Sequence, residues 1–343
     1  MLYEFLFALL FILFSIKADE VSLPYKYSNF FQLYNDDYLL CTEKGIFLYD
    51  SQLRNLKEEY PFASEISLED FNYVNIEQFT VEEGGYGVIL YKDTFYFFSN
   101  SGIIIFPYPL PFTPSGNGFT LVLQKKNEQF NFIVGYISNS QNTMISYYKI
   151  DIDERKIIEI NTKNIVLRSS SGYEQTTSSY PFSCQIMNNN EEGEVLTCFY
   201  IVTNYLGINS YKIDDDFSEC SSIGYKADKT ISTYYFKSGT NTEKDKAIVC
   251  FKNGYENANV GACLCYDINS NSITSKKIFG ENVKSVSLFY YKKANEFILS
   301  YYNYDSNINV VKFDKELTLL ENESININDE PNIHISGGEL NYI

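Results

Sequence analysis

Tryptophan is absent from this chain of 343 residues, and histidine occurs once, as His334. The scarcity of imidazole removes most common hydrolytic constellations, because Ser-His-Asp and Cys-His arrangements place a histidine beside the nucleophile. His334 stands in a ragged C-terminal stretch and reads as an ordinary surface residue. Arginine is almost missing: Arg54, Arg155 and Arg168 are the only three, set just after or between expected strand turns, so a triple-arginine clamp on a substrate carboxylate is excluded. No Cys-x-x-Cys pair occurs, which argues against zinc. No glycine-rich phosphate loop opens a helix, and no apolar stripe of helical period appears after the first residues. No cofactor, no metal and no catalytic residue is expected, so the chain reads as a non-enzyme.

Positive charge is also short. Lys and Arg total 27 against 44 Asp and Glu, for a net charge of −17. Such a surface repels phosphate backbones, so nucleic acid is not an expected partner. It serves instead as a solvated exterior that keeps a folded protein in solution.

The compartment is read from the first residues. Residues 5–16 are apolar apart from Ser15, and Lys17-Ala18-Asp19-Glu20 turns abruptly polar. An apolar run of about 7–15 residues with a small residue at the cut marks a secretory signal peptide. The expectation is a signal peptide over 1–18, cleaved after Ala18, and one domain over 19–343. The n-region departs from the pattern, carrying Glu4 and no Lys or Arg. The run falls short of the roughly 20 residues that span a bilayer, and no later segment approaches that length. A secreted or extracellular-surface location follows, without a transmembrane segment apart from the N-terminal signal.

Cysteine agrees with export. Seven cysteines in an exported chain read as disulfides, with the odd count leaving at least one unpaired within the chain. A hairpin between 182–187 and 194–201 would set Cys184 opposite Cys198, and one centred near Glu256-Asn257 would set Cys250 opposite Cys263. Directly opposed residues lie about 4.5–5.5 Å apart, within reach of a disulfide.

What the chain has in abundance is Tyr and Phe, 31 and 27 of them, arranged in a repeat. A strand ending in an apolar residue and Asp recurs at Tyr49-Asp50, Ile150-Asp151, Ile213-Asp214, Tyr266-Asp267 and Phe313-Asp314, with Phe98-Ser99 as a sixth copy. The steps between the terminal residues are 49, 52, 63, 53 and 47. An Asp side chain accepts from backbone N–H groups two residues on, so Asp50, Asp151, Asp214, Asp267 and Asp314 are expected to shape a turn. A calcium loop at Asp267-Ile268-Asn269-Ser270-Asn271 is excluded, lacking Gly at the sixth position and Glu at the twelfth.

Before each Asp strand lies a more apolar one: 38–42, 86–91, 130–136, 195–200, 247–251 and 296–301. Further strands precede these at 121–123, 230–236 and 286–291, and follow the Asp turn at 103–106, 273–279 and 317–320. Near-continuous apolar runs such as Phe297-Ile298-Leu299 imply sheets covered on both faces. Four short antiparallel strands about every fifty residues define an all-β propeller of six to seven four-stranded blades. Blade one starts near Ser28 and blade six ends near Glu323; residues 332–336 and 339–343 read as the first strands of a seventh, which implies either an incomplete seventh blade at the C-terminus or a chain truncated relative to a longer protein.

The aromatic-Asp strand ending resembles WD40 and kelch-like propeller repeats in a generic way. The chain lacks their diagnostic Trp-Asp and Gly-His pairs, and holds only Gly84-Gly85 and Gly337-Gly338 of the kelch double glycines. The resemblance implies an architecture and no specific family.

The function expected is a secreted or cell-surface, non-catalytic binding or adhesion module that presents propeller loops to an unknown protein or glycan. Two alternatives stand beside it: a propeller hydrolase or lyase acting on carbohydrate through Asp and Glu, and a truncated fragment of a larger surface protein. Tyr234-Tyr235, Tyr290-Tyr291 and Tyr301-Tyr302-Asn303-Tyr304 are candidate stacking platforms or blade packing. Asn322-Glu323-Ser324 is a glycosylation sequon, expected in an exposed loop.

Overall fold

The computed structural model describes residues 28–32, 37–62, 75–81, 84–91, 94–99, 108–109, 119–126, 129–137, 143–151, 153–165, 182–202, 204–213, 216–229, 231–254, 260–291, 294–303 and 307–326. The expected signal peptide, the 103–106 strand, Asp214, His334 and the seventh-blade strands lie outside these residues.

Among the described residues every regular element is a strand, and the strands form six four-stranded antiparallel sheets in chain order. Blade 1 holds β1 (Ser28–Gln32), β2 (Tyr38–Thr42), β3 (Gly45–Tyr49) and β4 (Leu56–Pro61). Blade 2 holds β5 (Asn75–Val81), β6 (Gly84–Tyr91), β7 (Thr94–Ser99) and β8 (Tyr108–Pro109). Blade 3 holds β9 (Phe119–Lys126), β10 (Gln129–Ile137), β11 (Thr143–Asp151) and β12 (Lys156–Ile165). Blade 4 holds β13 (Phe182–Asn189), β14 (Gly193–Val202), β15 (Tyr205–Lys212) and β16 (Glu219–Lys226). Blade 5 holds β17 (Ile231–Thr240), β18 (Lys246–Asn253), β19 (Val260–Asp267) and β20 (Ser272–Glu281). Blade 6 holds β21 (Val283–Tyr291), β22 (Glu296–Asn303), β23 (Asn307–Phe313) and β24 (Leu319–Asn326).

Each sheet meanders from its first strand to its fourth. The first strands of blades 2 to 6 contact one another in sequence, β5 on β9, β9 on β13, β13 on β17 and β17 on β21. That makes the molecule a β-propeller, with the first strand of each of these blades innermost. Blade 1 meets blade 2 through Tyr60 and Phe62, whose rings lie 5.8 Å from that of Tyr96.

The core is not one mass but a series of wedges between neighbouring blades. Side chains alternate across a strand, so each middle strand feeds two wedges. In β14, Leu196 and Cys198 pack toward blade 3, while Val195, Phe199 and Ile201 pack toward blade 5. In β18, Ile248 and Cys250 face blade 6, and Ala247, Val249 and Phe251 face blade 4. Middle strands such as β3, β14 and β18 are therefore buried along nearly their whole length, while β4 and β12 at the rim are largely exposed and β16 and β20 half-buried to exposed.

Tyr and Phe fill these wedges in place of tryptophan. Between blades 2 and 3, Phe132 packs edge-on to Phe95 at 4.7 Å and stacks on Tyr148 at 5.0 Å. Between blades 4 and 5, Phe199 meets Tyr266 edge-on at 6.0 Å. Within blade 4, Tyr200 lies across Gly207 so closely that a Cβ there would stand 2.1 Å from the ring. Glycine at 207 is a packing requirement rather than a turn.

Candidate functional site

A meandering sheet puts its first-to-second and third-to-fourth turns at one end, so the described Asp turns gather there. Each described Asp accepts as its residue type predicts. Asp50 Oδ1 accepts from the Gln52 and Arg54 N–H groups at 3.1 and 2.9 Å, and Asp151 Oδ1 from that of Glu154 at 3.0 Å. Asp267 Oδ1 accepts from the Asn269 and Ser270 N–H groups, both at 2.9 Å. Asp314 Oδ1 accepts from those of Glu316 and Thr318, both at 2.8 Å. The Arg54 N–H is the strongest influence holding the Asp50 carboxyl below its usual range. For Asp314 burial pulls upward, and the N–H donors of Thr318 and Glu316 outweigh it.

The turns carry a second feature beyond the Asp. Each closes on a residue in the left-handed region: Leu53 (φ 57°), Arg155 (φ 51°), Phe217 (φ 42°), Asn271 (φ 46°) and Leu317 (φ 64°). That region costs a non-glycine residue about 1–2 kcal/mol. Phe217 and Leu317 offset it by burying their side chains in the wedges between blades 3 and 4 and between blades 5 and 6. Burial of such a side chain contributes about 1.5–3 kcal/mol. Leu53 plugs blade 1 in the same manner. The signal was present as an apolar residue three places after Asp50, Asp214 and Asp314, at a position where Gly or Asn is the usual expectation.

Neighbouring turns interlock. The Asn188 N–H donates to the Lys244 carbonyl at 2.8 Å, its Nδ2 donates to the Glu243 carbonyl at 2.7 Å, and the Asn190 N–H donates to Asn269 Oδ1 at 2.9 Å. These bonds tie blade 4 to blade 5. Lys246 forms an ion pair with Glu316, Ser275 Oγ donates to the Glu316 carbonyl at 2.9 Å, and Cys265 Sγ donates to the Lys315 carbonyl at 3.1 Å. These tie blade 5 to blade 6.

A partly buried chain runs beneath the same end. Tyr147 Oη donates to Gln124 Oε1 at 2.7 Å, Gln124 Nε2 donates to Glu194 Oε2 at 2.7 Å, and Lys244 Nζ donates to Glu194 Oε1 at 3.4 Å. Three blades are thereby linked through one carboxylate. Burial first, then the Glu194 charge, raises the Tyr147 hydroxyl above its ordinary range, so it stays a donor at neutral pH. Above this frame Asn190, Glu191, Glu192, Glu243, Asn269 and Glu316 face solvent. The arrangement offers acceptors on a braced surface.

Among the described residues no three His, Cys, Asp or Glu side chains gather as a metal site. Burial pushes the Cys41 thiol up to about 12 and raises those of Cys220 and Cys265, which keeps all three protonated. The other four described cysteines are joined, Cys184 to Cys198 across β13 and β14 and Cys250 to Cys263 across β18 and β19. Both pairs are directly opposed in register, with Cα atoms 4.0 and 4.1 Å apart.

Two of the tyrosine clusters resolve in part into blade packing. Tyr290 packs on Phe297 at 4.9 Å and Tyr301 on Phe279 at 5.0 Å. The side chains of Tyr234, Tyr235, Tyr291, Tyr302 and Tyr304 lie outside the described residues. Asn322 is exposed, but on a strand and not in a loop, because β24 continues through Asn326. Among the described residues no helix is long and apolar enough to cross a membrane.

Several solved structures share the fold. A functionally unknown protein from Desulfotomaculum acetoxidans DSM 771 is similar at a TM-score of 0.53 and 12% identity, covering 88% of this chain and 86% of that one. The WD40 domain of SCAP from fission yeast is similar at a TM-score of 0.48 and 10% identity, over 87% of this chain and 75% of that one. Dihydro-heme d1 dehydrogenase NirN is similar at a TM-score of 0.47 and 11% identity, over 85% of this chain and 55% of that one. No family model matches the sequence, and neither does any curated protein. The likeness to the first of these structures is one of fold alone.

Proposed function

We propose that the protein is a secreted or cell-surface binding module, non-catalytic, that presents the Asp-turn end of blades 4 to 6 to a protein or glycan partner. The interlocking of adjacent turns carries this reading. Binding is opposed by the entropy of ordering loops, and a surface whose loops already bond to one another loses less on association. Exposed Glu191, Glu192, Glu243 and Glu316 on a chain of net charge −17 favour a cationic partner face. Two disulfides and an apolar leader suit an oxidising compartment.

The test is expression of the full chain with its own leader in a eukaryotic host, followed by capture from the medium on arrays of basic peptides and of glycans. Recovery from the medium and binding that Glu191→Lys with Glu243→Lys weakens at least tenfold is the expected result. Retention inside the cell, or binding indifferent to that charge reversal, overturns it.

A further inference from the structure

We propose that Asn322 carries an N-linked glycan that covers the outer edge of blade 6; this rests on the export reading above. Two independent observations converge on the residue. The first is chemical: Asn322-Glu323-Ser324 is the sole Asn-x-Ser/Thr sequon with a non-proline middle residue in the sequence, although asparagine is abundant. The second is its position. β24 is the outermost strand of its sheet, bonded on one side to β23 with Asn322 opposite Val311, and residues 319–322 are all exposed.

An outer strand presents unpaired N–H and C=O groups that invite another chain to add on, and proteins protect such edges, often with lysine. The other long outer strands follow that rule. Lys57 lies on β4, Lys156 and Lys163 on β12, Lys226 on β16, and Lys276 and Lys277 on β20. β24 reads Leu-Leu-Glu-Asn-Glu-Ser-Ile-Asn and has no lysine or arginine. It also exposes two adjacent leucines, Leu319 at 46% and Leu320 at 50%. Among the long outer strands, the one without lysine or arginine is thus the one that bears the sequon. A bulky, hydrated oligosaccharide there would block strand addition as lysine does elsewhere. In the transfer, the Asn322 side-chain nitrogen bonds to the sugar anomeric carbon, losing a proton as the lipid pyrophosphate leaves from the donor glycan.

The experiment translates the full chain in the presence of microsomes, once with its own leader and once behind a known signal peptide. Export by the native leader is scored by protection from protease, and glycosylation by a mobility shift that an amidase acting on native protein reverses, converting Asn322 to aspartate. The expected result is one glycan, lost in Asn322→Gln and in Ser324→Ala and kept in Ser324→Thr. Unglycosylated Asn322→Gln should self-associate as concentration rises, and Leu320→Lys in that background should restore the monomer. If the native leader fails while the known signal peptide yields a glycan at Asn322, the export reading falls and the site stands. Translocated protein without the glycan, or a glycan that only denaturation exposes to the enzyme, overturns the site itself.

Discussion

The wedge between blades 4 and 5 and the two wedges that flank it are built differently. The central wedge packs Val195, Phe199, Ile201 and Ile208 against Val249, Phe251, Leu264 and Tyr266, with no disulfide among them. Its buried polar content includes a hydroxyl pair, Thr197 to Ser210 at 2.9 Å. The flanking wedges each take a cystine from the same two blades: Cys184–Cys198 faces blade 3, and Cys250–Cys263 faces blade 6. Neither bridge joins two blades. Each staples a hairpin inside one blade, so the cohesion between blades comes from packing and from the interlocked turns. The cystines stiffen blades 4 and 5 individually, and the Asp-turn end gains a rigid pair of neighbours on which to assemble.

The largest expected effect attacks the central wedge. Phe199 is fully buried and touches Tyr266; Phe199→Ala should cost about 3–5 kcal/mol, read from urea unfolding. A loss below 1 kcal/mol would mean that packing is not what joins blades 4 and 5.

Next come the staples. Their sequence separations are 14 and 13 residues. Closing a loop of that size stabilises by about 3 kcal/mol in the chain-entropy account. The pairs Cys184→Ala/Cys198→Ala and Cys250→Ala/Cys263→Ala should each lower stability by up to that amount. Their effects should nearly add, because they lie in different wedges. Strong coupling between the two pairs would show that the blades are not separately stapled.

A smaller effect separates buried from exposed left-handed residues. Leu317→Gly removes a buried plug while relieving backbone strain, for a net loss of about 1 kcal/mol. Arg155→Gly removes strain at an exposed residue and should stabilise by about 0.5–1 kcal/mol. Equal signs in thermal unfolding would break the distinction between plug and plain turn.

The smallest concerns pH. The Asp50 and Asp314 carboxyls are lowered in the folded protein. Their contribution is therefore fully present above the unfolded carboxylate range and is lost as pH falls through the folded values. Stability measured in urea should decline below about pH 4, and Asp314→Asn should flatten that decline slightly. An unchanged slope would remove Asp314 from the acid transition.

Much of this architecture was legible because local chemistry and global form agree. The Asp that ends Tyr266-Asp267 marks a turn whatever surrounds it, and an unbroken run such as Phe297-Ile298-Leu299 can only sit between two covered faces. The two cystines were legible for the same reason, since hairpin register sets which cysteines are opposed. Three things were not. The left-handed Leu317 contradicts its intrinsic preference, and only the wedge beneath it supplies compensation. The chain from Tyr147 through Gln124 and Glu194 to Lys244 crosses three blades, with sequence separations of 23, 70 and 50 that no spacing rule encodes. Asn322 was expected in a loop because a sequon calls for an exposed site, yet the outermost strand of a sheet is exposed as a loop is.

Disulfide mapping of protein recovered from the medium of a secretory host tests the account most directly, because it interrogates export and blade assignment together. The account predicts peptides linking Cys184 to Cys198 and Cys250 to Cys263, with buried Cys41 and Cys265 alkylated only after unfolding. A bridge between the two hairpins, such as Cys198 to Cys250, or four reduced thiols in their place, would contradict it.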